Sequence, residues 1–167
     1  RIAEKYGISK LIKVLPGGAT SQQSKLLALR ALRDVCRDDD IILMHDAVRP
    51  LITSRLIDDN LTCIRQFGNA ITVDPFTETG VVSEDGKTVE TTIERKKLYI
   101  AKAPQTFYYG DALWAHEAAQ NMPDSTTIDT CTIMTTLGKE LHFVPCQSSN
   151  IKEAQIKAGK GEVSSQK

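Results

Sequence analysis

The chain has 167 residues, 41% hydrophobic and 25% charged, enough for one domain with a buried core and too few for several. Its 21 basic and 21 acidic residues balance to a formal net charge of +0, so no global field draws it to nucleic acid or to an anionic membrane. Any phosphate binding has to be local, and no run of about 18 apolar residues marks a membrane span.

The four cysteines, Cys36, Cys63, Cys131 and Cys146, stand far apart with no CxxC pair. His45, His116 and His142 add no metal-ligand spacing. Isolated reduced thiols fit a cytoplasmic protein. The chain opens on RIAEKYGISK, without Met and inside a helical pattern, which reads as a sequence that continues upstream.

In chain order, ISKLIKVLPGG reads as a strand over Leu11 to Leu15 that ends at Gly17-Gly18. SQQSKLLALRALRDVC follows, with Leu26, Leu29, Leu32 and Cys36 at helical spacing and Ser21 as the cap. DDDIILMH is a polar break and then an unalternating apolar run, the mark of a strand buried on both faces of a parallel sheet. TSRLIDDNLTCIRQFG is amphipathic, with Leu56, Ile57, Leu61 and Ile64 inward and Gly68 as its stop. NAITVD is a third strand. This alternation predicts an α/β fold with a mainly parallel sheet flanked by helices.

The middle breaks the rhythm. GVVSEDGKTVETTIERKKLYIAKAPQ carries an Asp85-Gly86 turn between β-branched runs, a hairpin signal, and reads as a β-arm over about 79–99 inserted into the core. GDALWAHEAAQ and DTCTIMTTLG read as helices, and ELHFVPC as a late strand. The result is one domain over 1–152 and a small, polar tail over 153–167 with the composition of a flexible segment.

The stretch IILMHDAVRPLI runs an apolar strand straight into charge. In open α/β sheets ligands bind beyond the carboxyl ends of strands, which is where His45 to Pro50 fall. Asp46 suits a divalent cation or a hydroxyl, and Arg49 offers a fork for a phosphate. The same residues also suit a buried Asp–Arg pair that braces the loop. His45 alone reads as a hydrogen-bonded strand-end residue. Gly17-Gly18 and the helix start near Ser21 to Ser24 suit close backbone approach to a ligand, although such a glycine pair is often only a turn.

GGATSQQS, HDAVRPLI, ERKKLYIAKAPQTF and IDTCTIMTTLGKELHFVPCQSSNIK occur in an order and spacing that resemble the cytidylyltransferases that make CDP-polyols, over about Ile12 to Lys152. Those enzymes act on 2-C-methyl-D-erythritol 4-phosphate or ribitol 5-phosphate. The resemblance implies a Rossmann-like domain whose β-arm forms a homodimer, and a reaction of CTP with a polyol phosphate that releases pyrophosphate, with Mg²⁺. It implies that Gly17, Gly18, Ser24 and Ala47 meet the nucleotide. It gives Asp46 to metal and substrate, Arg49, Thr79 and Arg95 to the substrate, with Arg95 reaching across the dimer, and Lys152 to charge neutralisation in catalysis.

The resemblance is incomplete. The family's first strand and glycine-rich triphosphate loop have no counterpart in these residues, which implies an N-terminally incomplete domain with little turnover alone. Ser21 replaces a usual arginine, Ala103 a threonine and Ile128 a hydroxyl residue. A different reading therefore stands beside the enzyme: a degenerate, non-catalytic homologue that acts as a dimer-forming nucleotide-binding domain. A dinucleotide binder is disfavoured, because no GxGxxG occurs.

Overall fold

The computed structural model describes residues 2–122, 129–146 and 150–152. The expected tail, 153–167, and Ile128 lie outside the described residues. α1 (Ile2–Lys5) is a single turn. α2 (Ser21–Ala31) is capped by Thr20, whose Oγ1 accepts from the Gln23 amide at 3.1 Å. Ser21 was the expected cap. It is instead the first helical residue, because the extended backbone a cap requires is found one position earlier, at Thr20.

The expected strand over Leu11–Leu15 does not form. Leu11, Ile12, Val14 and Leu15 are all exposed, and among the described residues none pairs with them. Local β preference makes a strand only where a neighbouring strand supplies the ladder. β1 (Ile41–Met44) has its one ladder elsewhere, and its four residues are half-buried, as suits an edge strand.

α3 (Ser54–Phe67) starts at Thr53 and stops at Gly68. Gly68 adopts φ 85°, the left-handed geometry that glycine enters without steric cost, and its amide donates to the Ile64 carbonyl at 2.7 Å. β2 (Asn69–Pro75) follows directly. β3 (Gly80–Val82) and β4 (Thr91–Ile93) form the expected hairpin as a separate two-stranded sheet. Its turn is organised by Asp85, whose carboxylate accepts from the amides of Lys87 at 2.7 Å and Thr88 at 2.8 Å. Those bonds, the Thr88 amide first, hold the carboxyl well below its ordinary range. β5 (Tyr99–Tyr108), α4 (Tyr109–Ala118), α5 (Thr130–Thr136) and β6 (Phe143–Pro145) follow, with single 3₁₀ turns at Arg95–Lys97 and Ala119–Asn121.

The main sheet has the order β1-β5-β2-β6. β5 runs antiparallel to both β1 and β2, and β6 runs parallel to β2. The α/β class is as expected and three strands share a direction, but the sheet is mixed, because β5 enters between β1 and β2. That insertion is a long-range pairing which no local pattern encodes.

Strand alternation divides the core between two helical layers. Ile71 and Val73 of β2 pack with Phe107, Leu29, Tyr109, Ala112, Ile133 and Met134, on the side of α2, α4 and α5. Ala70 packs with Leu56, Cys63 and Val144, on the side of α3. Burying each large apolar side chain of this set contributes about 1.5–3 kcal/mol. On the α3 side, Asn60 is fully buried yet satisfied. Its Nδ2 donates to the Leu56 carbonyl at 2.9 Å and to Thr72 Oγ1 at 3.1 Å, and its Oδ1 accepts from Thr106 at 3.0 Å. That polar knot pins α3 to β2 and β5.

Candidate active site

A cavity of about 560 Å³ lies against β1 and the first half of β5, at the carboxyl end of β1. α2 supplies Ser24, Lys25 and Leu29 to its wall, β1 supplies Ile42 and Met44, and the loop after β1 supplies His45, Asp46 and Arg49. β5 contributes Lys102, Ala103 and Gln105, the start of α5 contributes Asp129 and Thr130, and Lys152 closes the ring. Asp46, Arg49, Ser24 and Lys152, separate in the sequence, therefore share one space.

Arg49 is the pivot of the loop. Its Nε donates to Asp46 Oδ2 at 3.1 Å and its Nη1 donates to the Asn150 carbonyl at 2.9 Å. The guanidinium is buried, at 8% side-chain exposure, whereas the Asp46 carboxylate is 42% exposed and remains open to the cavity. The Asp–Arg pair is thus real and braces the loop, and both members still line the site. The Arg49 carbonyl accepts from His45 Nε2 at 2.8 Å, which makes His45 the hydrogen-bonded strand-end residue that its position implied. Its Nδ1 is buried without a partner.

Ser24 shapes the glycine turn. Its Oγ accepts from the Gly18 amide at 2.9 Å and donates to the Thr20 carbonyl at 2.9 Å. Gly18 has little room, since a Cβ there would meet the Gln23 side chain at 2.7 Å. Gly17 and Gly18 stand behind Ser24, outside the residues that line the cavity. Ala47 is also outside it, exposed on the turn after Asp46. Thr79 and Arg95 lie on or beside the arm, both exposed, and Arg95 Nη1 donates to the Thr77 carbonyl at 3.4 Å. The fold does not bring these two into the cavity of their own chain.

The lining carries Lys25, Arg49, Lys102 and Lys152 against Asp46 and Asp129, so a chain without net charge presents a locally cationic cavity suited to phosphate. Arg49 is paired with Asp46, and Lys102, nearly buried, with Asp74. Asp129 caps α5, its Oδ1 accepting from the Thr132 amide at 2.8 Å. Behind Thr130, the fully buried His116 has its Nε2 3.1 Å from Thr130 Oγ1. Burial, helped by the Lys25 ammonium, lowers its pKa to about 4.

Sequence reasoning passed over Lys102, Gln105, Thr130 and Asn150. Lys102 and Gln105 sit inside an apolar strand, where an isolated polar residue is the only signal. Gln105 Oε1 accepts from the Cys131 amide at 3.2 Å and so holds the start of α5 at the cavity. Among the described residues, no three His, Cys, Asp or Glu side chains gather as a metal cage. Mg²⁺ needs no such cage, since it commonly binds through one or two carboxylates, waters and substrate phosphates. The open Asp46 carboxylate fits that mode.

The family model described as "IspD: 2-C-methyl-D-erythritol 4-phosphate cytidylyltransferase" matches residues 2–157. The chain belongs to this family. A ribitol-5-phosphate cytidylyltransferase of Vibrio parahaemolyticus is 36% identical over 148 residues, which cover 89% of this chain and 62% of that protein. A 2-C-methyl-D-erythritol 4-phosphate cytidylyltransferase of Geobacter metallireducens is 34% identical over 152 residues, 91% of this chain and 65% of the relative. The chain thus spans somewhat under two thirds of the length of these relatives.

Among solved structures, the 4-diphosphocytidyl-2C-methyl-D-erythritol synthase of Anaerococcus prevotii superimposes with a TM-score of 0.82 at 22% identity, over 99% of this chain and 72% of that one. The 2-C-methyl-D-erythritol 4-phosphate cytidylyltransferase of Francisella tularensis gives 0.77 at 24% identity, over 92% and 72%. At these identities the likeness establishes the family fold. Among the described residues, no helix is long and apolar enough to cross a membrane.

Proposed function

We propose that the protein transfers CMP from CTP to a polyol phosphate, ribitol 5-phosphate in the first instance, and releases pyrophosphate. The observation that carries this reading is the convergence of Asp46, Arg49 and Lys152 on one cationic cavity beside Ser24. Membership of a cytidylyltransferase family supports the nucleotide, and the relatives named for ribitol 5-phosphate support the acceptor.

The acceptor's phosphate oxygen attacks the α-phosphorus of CTP. A P–O bond forms there as the bond to pyrophosphate breaks, and pyrophosphate leaves with the electron pair. No protein nucleophile is required. The work is positioning and charge neutralisation. Lys152 neutralises charge that builds on the transferring phosphate. Asp46, aimed by Arg49, accepts a substrate hydroxyl and is the residue that would hold Mg²⁺. When bound, the metal neutralises phosphate charge. Ser24, on the cavity wall, fixes the glycine turn beside the nucleotide.

The arm is proposed to pair two protomers. Val81, Val82 and Ile93 are exposed on it, and two short strands have too little apolar cover to be stable alone. A twofold mate would cover them and bring Thr79 and Arg95 to the partner's cavity. Four free cysteines accord with work in the cytoplasm.

The test is to incubate the protein, as its gene encodes it, with CTP, Mg²⁺ and either ribitol 5-phosphate or 2-C-methyl-D-erythritol 4-phosphate, and to follow pyrophosphate. Release that depends on CTP and on ribitol 5-phosphate is expected. Release with the methylerythritol phosphate alone would reassign the acceptor, and none with either would overturn the reading.

A further inference from the structure

Lys152 reaches the cavity from residues 150–152, a stretch in neither helix nor strand, so no ladder holds it there. Asn150, which is only 3% exposed, anchors that stretch. Its Nδ2 donates to the Ala103 carbonyl on β5 at 2.7 Å, and its own carbonyl accepts from Arg49 Nη1 at 2.9 Å. Arg49 in turn donates to Asp46 at 3.1 Å. One residue thus joins β5, the Asp46 loop and the segment that bears Lys152.

We propose that Asn150 is a positioning residue, acting through Lys152: its side-chain bond to Ala103 sets where the Lys152 ammonium stands relative to Asp46. This deepens the proposed transferase reading and rests on it. Lysine has a long, flexible stem, so its placement depends on how firmly its backbone is anchored. Positioning errors of about 1 Å in a site that works by orientation cost about 10²-fold in rate.

The chemistry of Asn150 argues against a role in packing alone. Its Oδ1 is buried with no hydrogen-bond partner. A buried acceptor left in this way costs stability that an apolar side chain would not. The amide is explained by what its other end does: it supplies the N–H that the Ala103 carbonyl takes. The Arg49 bond uses the Asn150 backbone, so a side-chain substitution cuts the tether to β5 and leaves the link to Arg49 in place.

The experiment is a double-mutant cycle of Asn150→Ala and Lys152→Ala, with kcat, the KM for CTP and Tm measured for each protein. Asn150→Ala should lower kcat by roughly 10- to 100-fold with a KM change under about 3-fold, and in the Lys152→Ala background it should cost under about 2-fold more. Asn150→Ser, which keeps a donor on a shorter stem, should recover part of the loss. Losses that multiply, or a lowered Tm with wild-type kcat well below it, would overturn the proposal. A readout without turnover is the Lys152 ¹³Cε resonance, which should shift with CTP in the wild type and not in Asn150→Ala. Equal shifts in both proteins would sink the positioning role. A wild-type protein that binds CTP but turns over neither polyol phosphate would sink the transferase reading instead.

Discussion

Arg49 Nη1 donates to the carbonyl oxygen of Asn150 at 2.9 Å, joining positions 101 residues apart. The same guanidinium holds Asp46 through Nε at 3.1 Å. Two donors of one planar group thus close the cavity from opposite ends of the chain, a task for which lysine has the charge but not the fork.

Arg49→Lys should therefore lower both stability and catalytic efficiency while keeping the charge. A single ammonium reaches one of the two acceptors, so a loss of about 1–2 kcal/mol is expected in urea unfolding. kcat/KM measured on the same sample should fall with it. An unchanged midpoint would mean that the second bond contributes nothing.

Asp46→Asn and Lys152→Ala test the chemistry. Each should lower kcat by about 10²–10³-fold, and Lys152→Ala should change kcat much more than KM, because its contact strengthens as charge develops. Asp46→Asn should also weaken the dependence of rate on magnesium concentration. Initial rates over a magnesium series read this directly, and near-normal turnover in both variants would refute the assignment.

Acid should destabilise the protein through His116. Its folded pKa of about 4 lies below the ordinary value of 6.5, because burial disfavours the imidazolium. A depressed pKa means that the unfolded chain binds the proton more readily. Its contribution is therefore complete above about pH 6.5 and is lost as pH falls towards 4, by about 3 kcal/mol. Urea midpoints across that window should fall in the wild type. The slope should flatten in His116→Gln, which keeps a polar group opposite Thr130.

The arm can be tested by charge. Val81→Asp or Ile93→Asp places a carboxylate on the exposed apolar surface of β3 or β4. If that surface pairs two protomers, light scattering at micromolar concentration should show a dimer for the wild type and a monomer for either variant. Activity should fall as the dimer is lost, because Arg95 stands outside its own chain's cavity.

Local chemistry wrote much of this molecule into its sequence. α3 is legible because Leu56, Ile64 and Gly68 stand at helical spacing and at a stop, and the arm is legible because Asp85-Gly86 can only turn. Each of these depends on residues a few positions apart, and physics at that range is carried by spacing and conformational preference. Asp46 and Arg49 were legible from a strand running into charge, whereas Lys152 was named only from a family resemblance, since an exposed lysine has no local signature.

Other features were decided by tertiary structure alone. Leu11–Leu15 has the composition of a strand and finds no partner among the described residues, whereas β5 inserts between β1 and β2 and makes the sheet mixed. Asn150 and Lys102 look like ordinary polar residues until the fold buries them beside Arg49, Ala103 and Asp74. The reason is that strand order and buried polar pairing depend on which distant groups arrive together. That is fixed by the free energy of the whole packed chain rather than by any one stretch of it.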